Sequence, residues 1–372
     1  MSYITESQGI SDNVEQNSLS QLLTLAESYL KEVVAPIASQ IDVDSEALKM
    51  ALQGMGDRSL LALRVPKKWG GSEVSEKAYR RFQQLVPRYS GALAFLQTQH
   101  QSAGEFINHS HNEALKQQYL PHMGKGKILV GVGFSHLRRK GDPPVKAISV
   151  DGGYQLYGKV PWITGFGLFQ DFILAATLPD GQTVYGVVPF RETMQAQGGV
   201  ITFSEPMQLA VITSTNTVTG TINHWFLSED RVVFVKPAGA IQESDRKNVL
   251  NQGFACLGCA RAGLDIVEAE YHTKQLPFVG KAFESLNQEL ICCQSALFEM
   301  PQNPQSWEEK LQLRAWAIDL ALRCASAAVT VSGGAANYRD HEAQRVYREA
   351  LVFTVSGQTT AVMEATLARL LG

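Results

Sequence analysis

Apolar residues in the opening third of the chain recur every three or four positions, which is the pattern of amphipathic helices. The first of these patterns is interrupted at Pro36, where a helix has to kink or end. Similar patterns follow at Ala47–Met55 and Ala78–Val86, and Ser110 with Glu113 has the spacing of a capping box ahead of another helix. The opening third is therefore predicted to be helical.

After Gly124 the pattern changes to short apolar runs that are typical of β-strands. Turn-forming sequences at Asp151–Gly153 and Pro179–Gly181 separate some of these runs. The runs are Ile128–Phe134, Tyr154–Tyr157, Phe172–Ala176, Val184–Val188, Thr221–Leu227 and Val232–Val235. This middle segment is predicted to be a β domain.

Helical periodicity returns at about residue 240 and continues to the end of the chain. The long helical segments lie near residues 247–274, 281–299, 306–332 and 340–371. The order of helices, strands and helices predicts an α+β multi-domain protein. We expect domains over residues 1–123, 124–239 and 240–372.

The composition is that of a globular and nearly neutral protein. The chain has 33 Lys plus Arg against 36 Asp plus Glu, a formal net charge of −3, and 45% hydrophobic residues. This is enough apolar material for a large core, and it gives no electrostatic reason to bind nucleic acid, which usually requires a basic surplus.

The five cysteines all lie in the C-terminal third, and an odd count argues against a disulfide framework. Residues 1–17 are polar and slightly acidic, without the basic and apolar regions of a secretory signal. No run approaches the ~18 consecutive apolar residues of a membrane span. We therefore expect a cytoplasmic protein without a membrane span.

Two short motifs resemble metal-binding sequences. Cys256 and Cys259 have the spacing of a zinc-binding pair, but no second pair of ligands stands at a usable distance in the sequence. His109 and His111 lie on a predicted loop without a carboxylate partner. We interpret the cysteines as core residues and the histidines as solvated, and we predict no metal site.

Three other motifs admit both a binding and a structural interpretation. Trp162 and Thr164 suit a planar cofactor, with stacking on the ring and a hydrogen bond to its edge, but Trp162 also suits a core position. Gly333 and Gly334 allow a close approach to a phosphate, or simply a turn between helices. The basic run Arg138–Lys140 suits phosphates, or the exposed tip of a hairpin.

In their order and spacing, these motifs and several further segments resemble the acyl-CoA dehydrogenase family over nearly the whole chain. Leu60–Gly71 reads LLALRVPKKWGG, and Gly158–Thr164 reads GKVPWIT, which is similar to a strand of that family that ends in WIT. The other similar segments are Lys116–Lys125, Leu257–Asp265, Ser332–Gly334 and Arg345–Ala350.

The resemblance implies a helical N-terminal domain, a middle β-barrel-like domain and a C-terminal four-helix bundle. It also implies that FAD is held between the last two domains and a neighbouring subunit of a homodimer or homotetramer. The substrate class that it implies is a small molecule, an acyl-CoA in the first instance, and the electron acceptor is left open.

The resemblance also assigns flavin contacts to particular residues of this chain. Trp162, Ile163 and Thr164 would contact the isoalloxazine, with Thr164 hydrogen-bonded to N5. Phe134 and Ser135 fall at the pyrimidine side of the ring. The residues implied at the pyrophosphate and adenosine are Phe278, Gly333, Gly334, Gln358 and Thr359, some of them across the subunit interface.

The chain departs from the family in two parts of this site. A loop of small residues is replaced by Ser135–Asp142, which carries long basic side chains. An arginine and a glycine of the family are replaced by Gln275 and Val279, which removes a charge-assisted phosphate bond worth about 1.5–3 kcal/mol. We expect FAD to bind less tightly as a result.

The third departure concerns the catalytic base. In this family a glutamate removes the proton next to the thioester carbonyl. Its two usual positions fall at Gly357 and Asn248, neither of which can accept a proton. The catalytic residue is therefore left unassigned, and a small shift of register would bring Asp245 or Arg246 to the place that grips the acyl-CoA.

Three hypotheses follow from the sequence. The first is an FAD-dependent oxidoreductase that acts on an acyl thioester or a related substrate, with a base at an unexpected position. The second is a flavin-dependent monooxygenase on the same fold, which needs no carboxylate base. The third is a non-catalytic relative. The retained Trp162, Thr164, Gly333 and Gly334 favour the first two hypotheses over the third.

Overall fold

The computed structural model describes residues 21–301 and 306–371, and its first part is helical as predicted. The helices are α1 (residues 21–29), α2 (Ala38–Val43), α3 (Ser45–Asp57), α4 (Glu76–Tyr89), α5 (Gly91–Asn108) and α6 (Glu113–Met123). The predicted interruption at Pro36 is confirmed, because a π-helical turn and a 3₁₀ turn separate α1 from α2.

The start of α6 differs from the prediction. Asn112 caps this helix, and its side chain accepts a hydrogen bond of 3.0 Å from the backbone N–H of Leu115. The predicted capping role of Ser110 is wrong, because the Ser110 hydroxyl donates instead to the backbone carbonyl of Val233 in the sheet. Ser110 therefore ties the connection between α5 and α6 to a strand.

The middle part of the chain forms a nine-stranded sheet. The strands are β1 (Val130–Gly133), β2 (Val145–Val150), β3 (Gly153–Ile163), β4 (Asp171–Thr177), β5 (Thr183–Pro189), β6 (Thr193–Met194), β7 (Val200–Phe203), β8 (Val218–Ser228) and β9 (Val232–Lys236). Their order is β6-β7-β8-β3-β2-β4-β5-β9, and β1 pairs with β4 in parallel.

The middle sheet domain that the resemblance implies is present, and its β-barrel-like sheet is open and does not close into a barrel. A barrel requires its first and last strands to pair. Here β6 has only two residues and pairs with β7, while β9 pairs with β5, and these two strands end the path at opposite edges. The chain then leaves the sheet at Lys236 and becomes helical.

The centre of the sheet is covered on both faces. All five inner residues of β4 and of β5 are buried, which accounts for their continuous apolar sequences. One face carries Ile173 and Val187, which belong to a core cluster shared with residues of α5 and α6. The opposite face carries Phe172 and Val188, which belong to the main core. The sheet is thereby fixed against the N-terminal helices.

The last part of the chain is helical again. Its helices are α7 (Ala240–Lys247), α8 (Asn251–Lys274), α9 (Pro277–Glu299), α10 (Trp307–Ser332), α11 (Glu342–Val355) and α12 (Thr360–Leu371). The predicted helix over 340–371 is divided at Gly357, whose φ of +62° does not fit a helix. The domain boundaries after residues 123 and 239 stay a prediction.

Helix α10 is the central helix of this part. The segment Trp307–Asn337 contains an 18-residue window that is long and apolar enough to cross a membrane, with a mean hydropathy of 1.3 over that window. In the fold it packs against α8, α9, α11 and α12. Its buried side includes Arg314, which donates hydrogen bonds to the backbone carbonyls of Phe353 and Ser356. Its apolar character is therefore that of a core helix.

Candidate functional site

A cavity of about 360 Å³ lies where the helical parts of the chain meet the loop after β1. Helices α4 and α5 form one wall, while α7, the start of α8 and the connection from α11 to α12 form the other. Its surface mixes apolar and polar groups. Its apolar lining residues are Pro87, Ala94, Phe95, Phe106, Phe134, Ile241, Val249, Ala255 and Phe353.

Asn248 and Gly357, at the two positions where the resemblance places a catalytic base, both line this cavity. Asn248 follows α7 and donates to the backbone carbonyl of Ser244 at 3.0 Å. Gly357 lies in the α11–α12 connection, and a Cβ there would come within 3.1 Å of the Gln252 side chain. The structure thus brings together two positions that are 109 residues apart in the sequence, at 248 and 357.

Two carboxylates line the cavity, and both are paired with arginines. Asp245 accepts from Arg138 at 2.8 and 2.7 Å, and Glu105 lies 3.2 Å from a guanidinium nitrogen of Arg64. Both carboxylates that line the cavity are therefore occupied by ion pairs, and no residue is assigned a catalytic role.

The 3₁₀ turn Ser135–Arg138 directs Arg138 inward, to the ion pair with Asp245. Its side chain is 29% exposed, and that of Asp245 is 17% exposed. The next two basic residues, Arg139 and Lys140, are exposed. The basic run is thus divided, with one residue bound inside the cavity and two facing solvent.

The α4–α5 wall is polar at several points that sequence reasoning missed. Tyr79 and Gln83 lie one turn apart on α4, and Thr98 on α5 lies 2.9 Å from the Gln83 carbonyl. Burial and the charge of Glu105 raise the pKa of Tyr79, while the charge of Arg64 opposes the rise. The only sequence signal was the four-residue spacing on one helix face.

The residues predicted to contact the flavin ring lie in two places, directly after β1 and at the end of β3. Phe134 lines the cavity and stacks on Phe106, with ring centroids 5.1 Å apart, while Ser135 is exposed. Trp162 is 47% exposed, and Ile163 is fully buried in the core. Thr164 is buried, and its hydroxyl lies 3.0 Å from that of Thr217.

The residues proposed for the phosphates lie mainly at the ends of the long helices. Gly333 follows α10 with a φ of +64°, and a Cβ at Gly333 or Gly334 would meet no atom within 4 Å. Phe278 is 69% exposed at the start of α9. Lys274 donates to the carbonyl of Val331, two residues before Gly333. This lysine, beside the position where the family's arginine is lost, was not identified from the sequence.

The last two proposed residues lie in the α11–α12 connection. Thr359 lines the cavity, and its hydroxyl accepts from the backbone N–H of Val362 at 3.3 Å. Gln358 is half-buried, and its backbone N–H donates to the carbonyl of Val355. Phe134 and Thr359 therefore share the cavity.

The cysteine pair Cys256 and Cys259 is fully buried in α8. Their thiols donate to the carbonyls of Phe353 and Val346, both at 3.7 Å, and burial raises the pKa of each thiol. Over residues 21–301 and 306–371, no group of three or more potential ligand side chains is arranged to hold a metal ion.

The chain is similar to a family model described as "Acyl-CoA dehydrogenase, N-terminal domain" over residues 16–127. It is 21% identical to a 3-(aryl)acrylate reductase of Clostridium sporogenes, over 95% of this chain and 98% of that protein. It is 22% identical to an acyl-CoA dehydrogenase of Bacillus subtilis, over 93% of this chain and 96% of that protein.

Among solved structures, the fold is similar to that of glutaryl-coenzyme A dehydrogenase in its glutaryl-CoA complex. The TM-score is 0.78, with 16% sequence identity over 95% of each chain. The order of helices, sheet and helices, the resemblance of several sequence segments and these full-length similarities agree. The chain is thus similar to acyl-CoA dehydrogenases by sequence, most clearly over residues 16–127, and in fold over nearly its whole length.

Proposed function

We propose that the protein is an FAD-dependent oxidoreductase that acts on the α,β carbon–carbon bond of an acyl thioester or a related acyl compound. The observation that carries this proposal is the cavity itself. The loop with Phe134 and both family positions of the base, Asn248 and Gly357, line it together. The cavity is concave and largely enclosed by helices, as small-molecule sites usually are.

The residues present fit FAD. Open space at Gly333 and Gly334 admits a phosphate, and the nearby ammonium of Lys274, which pairs with Glu270 at 2.8 Å, can turn to it. The exposed aromatic faces of Trp162 and Phe278 can cover planar rings. When bound, the flavin would accept or donate the hydride. These residues would hold and orient it, with some phosphate contacts supplied by a second copy of the chain.

We propose reduction of an unsaturated acyl group as the direction of the reaction. The β-carbon would receive a hydride and the α-carbon a proton, which water supplies where no free carboxylate lines the cavity. The missing carboxylate slows this proton transfer in both directions, by about 10² to 10⁴ in rate, and does not itself select a direction. The similarity to a 3-(aryl)acrylate reductase supports this direction.

A homodimer or homotetramer in the cytoplasm is part of the proposal. Exposed apolar side chains form stripes on the last two helices. Those on α11 are Tyr347, Leu351 and Val355, and those on α12 are Met363, Leu367 and Leu370. Faces of this kind usually mark an interface between proteins.

The monooxygenase alternative receives no support, because the relatives described above are a reductase and dehydrogenases. The non-catalytic alternative is decided by the first of two measurements. The absorbance spectrum of the purified protein, with chromatography of the released flavin, should identify FAD. Protein that takes up no flavin, even when FAD is added, would contradict the proposal.

The second measurement distinguishes the direction of the reaction. The bound flavin is reduced without oxygen and mixed with cinnamoyl-CoA, and its reoxidation is followed by absorbance. In parallel, the oxidised protein is mixed with 3-phenylpropanoyl-CoA. We expect fast reoxidation by the unsaturated compound and slow reduction by the saturated one. Reaction with neither compound, combined with hydroxylation of a substrate in the presence of oxygen, would favour the monooxygenase.

A further inference from the structure

The polar part of the α4–α5 wall lies well away from the Phe134 end of the cavity. Phe106 on α5 stacks on Phe134, whereas Thr98 precedes Phe106 by eight residues on the same helix. At 1.5 Å per residue, these two positions are about 12 Å apart along the helix axis. A molecule with one end at Phe134 thus reaches Thr98 and Gln83 with its other end.

The side-chain amide of Gln83 is oriented by its neighbours. Its carbonyl oxygen accepts from Gln97 at 3.0 Å and lies 2.9 Å from the Thr98 hydroxyl. This leaves the Gln83 amino group, which is buried and has no hydrogen-bond partner among the described residues. An unpaired buried donor is costly, at about 1–3 kcal/mol. It is therefore a candidate for a bond to a ligand.

The Tyr79 phenol, one turn before Gln83, is a second donor on this face of α4. Burial and the charge of Glu105 keep its proton in place, because both raise its pKa. Two donors, one on Tyr79 and one on Gln83, then line the cavity one turn apart on α4, with Tyr79 on the side of Glu105 and Gln83 on the side of Thr98. Together they suit a single acceptor oxygen.

The charges around these donors disfavour an anionic ligand. Arg64 is shared by two carboxylates, at 3.1 Å from Glu76 and 3.2 Å from Glu105, and Arg80 also pairs with Glu76, at 3.0 Å. These four side chains are neutral in sum. A ligand carboxylate brought here would lose its hydration and would find both arginines already paired.

We propose that this end of the cavity recognises an uncharged oxygen, such as a hydroxyl or keto group, at the far end of the acyl group, with Gln83 and Tyr79 donating hydrogen bonds to it. The inference rests on the proposed function and adds the substrate class to it. Gln83 and Tyr79 are then specificity-determining residues, with no part in the chemistry at the other end.

The test compares three acyl-CoA probes of one shape by isothermal titration calorimetry at pH 7 on the flavin-loaded protein. They are cinnamoyl-CoA, 4-hydroxycinnamoyl-CoA and 4-carboxycinnamoyl-CoA. We expect the hydroxyl compound to bind roughly five- to tenfold more tightly than cinnamoyl-CoA, as one or two net hydrogen bonds provide. The carboxyl compound should bind more weakly than both.

Gln83→Leu should remove the preference for the hydroxyl compound while cinnamoyl-CoA still binds. The variant should fold, because Gln97 and Thr98 both keep a contact to the carbonyl of Ala94. The matched control is Gln84→Leu, since Gln84 bonds to Gln294 on α9 instead of facing this cavity. Tyr79→Phe provides a second variant, with a smaller loss of preference.

The outcomes separate this inference from the function on which it rests. Equal binding of cinnamoyl-CoA and its hydroxyl analogue, or an unchanged preference in Gln83→Leu and Tyr79→Phe, overturns the inference and leaves the function standing. Tightest binding of the carboxyl compound overturns the argument from charge. Failure of all three probes to bind overturns the proposed function and the inference together.

Discussion

Arg138 and Asp245 form a two-point ion pair, at 2.8 and 2.7 Å, between the loop after β1 and helix α7. The family that the chain resembles has small residues in that loop. Here the ion pair instead links the loop to α7 across the side of the cavity. It also occupies Asp245, which a shift of register had made a candidate for gripping the acyl-CoA. The loop is thus rebuilt around a charge pair.

Removal of one partner should show how much this ion pair contributes to the stability of the fold. We expect Arg138→Ala to lower the free energy of unfolding by about 1–2 kcal/mol, because it leaves a mostly buried carboxylate unpaired. Urea denaturation measures the change. Arg139→Ala, at an exposed neighbour, should change it by less than about 0.5 kcal/mol. Equal effects of the two substitutions would refute the assignment.

A carboxylate at a family base position should increase dehydrogenation. Asn248→Glu is the better variant, because Gly357 has a φ of +62° and any side chain there is strained by about 1–2 kcal/mol. We expect at least a roughly tenfold faster reduction of the bound flavin by 3-phenylpropanoyl-CoA in Asn248→Glu.

Asn248→Gln is the control for this experiment, because glutamine has the size of glutamate without its charge. Its bound flavin should not be reduced faster than that of the wild type. Wild-type protein that already dehydrogenates ordinary fatty acyl-CoA rapidly would show that another residue supplies the base.

Flavin retention should depend on the turn after α10. Gly334→Leu fills space that is open in the chain by itself, so it should preserve the fold and still lower flavin occupancy. Lys274→Gln should weaken FAD binding roughly tenfold, as loss of a charge-assisted bond does. Flavin fluorescence during dilution measures both. Lys281→Gln, at an exposed site on α9, should retain FAD as the wild type does.

The apolar stripe on α11 predicts an oligomer. Light scattering at micromolar concentration should give the mass of a homodimer or homotetramer. Leu351→Glu places a charge in the stripe, where Leu351 is 51% exposed in the single chain, and should shift the mass towards the monomer. Met50→Glu, at an exposed methionine on α3, should leave the mass unchanged. A monomeric wild-type protein would contradict the proposed assembly.

Two buried histidines predict a loss of stability in mild acid. Burial lowers the pKa of His100 and of His136 to about 4, so both are neutral in the folded protein. An unfolded histidine binds a proton below about pH 6.5. The free energy of unfolding is therefore highest above pH 6.5. It decreases as the pH falls towards 4, by up to about 1.4 kcal/mol per pH unit for each histidine.

Urea denaturation at pH 7, 6 and 5 measures this loss. His136→Gln keeps a donor for the Ala175 carbonyl, which His136 contacts at 3.1 Å, and should reduce the loss by roughly half. An unchanged pH profile in that variant would mean that His136 binds its proton as readily in the folded state as in the unfolded state.

The order of helices, sheet and helices could be predicted from apolar spacing, because that spacing reports which face of each element is buried. The open sheet could not, since closure depends on whether β6 and β9 meet in space. The capping error has a similar cause. Ser110 has the right spacing for a cap, but a carbonyl of the distant Val233 draws its hydroxyl away.

The candidate site, too, could be predicted from the sequence only in part. Asn248 and Gly357 could be located by register, and the structure adds that they line one cavity. The roles of Arg138 and Gln83 could not be predicted, because each depends on partners that only the fold brings near. Arg138 lies 107 residues before Asp245 in the sequence.

Helix α5 touches all three parts of the chain. Near its start, the backbone N–H of Gly91 donates to the buried Glu349 of α11 at 2.9 Å. Near its end, Phe106 packs against Phe134 and against Tyr185 of the sheet. Helix α5 therefore contacts both the sheet and the C-terminal helices, and neither of these can separate from it without deforming the cavity wall. Heat should melt the three regions in a single cooperative step, and a ligand lying along α5 should raise the melting temperature of all of them together.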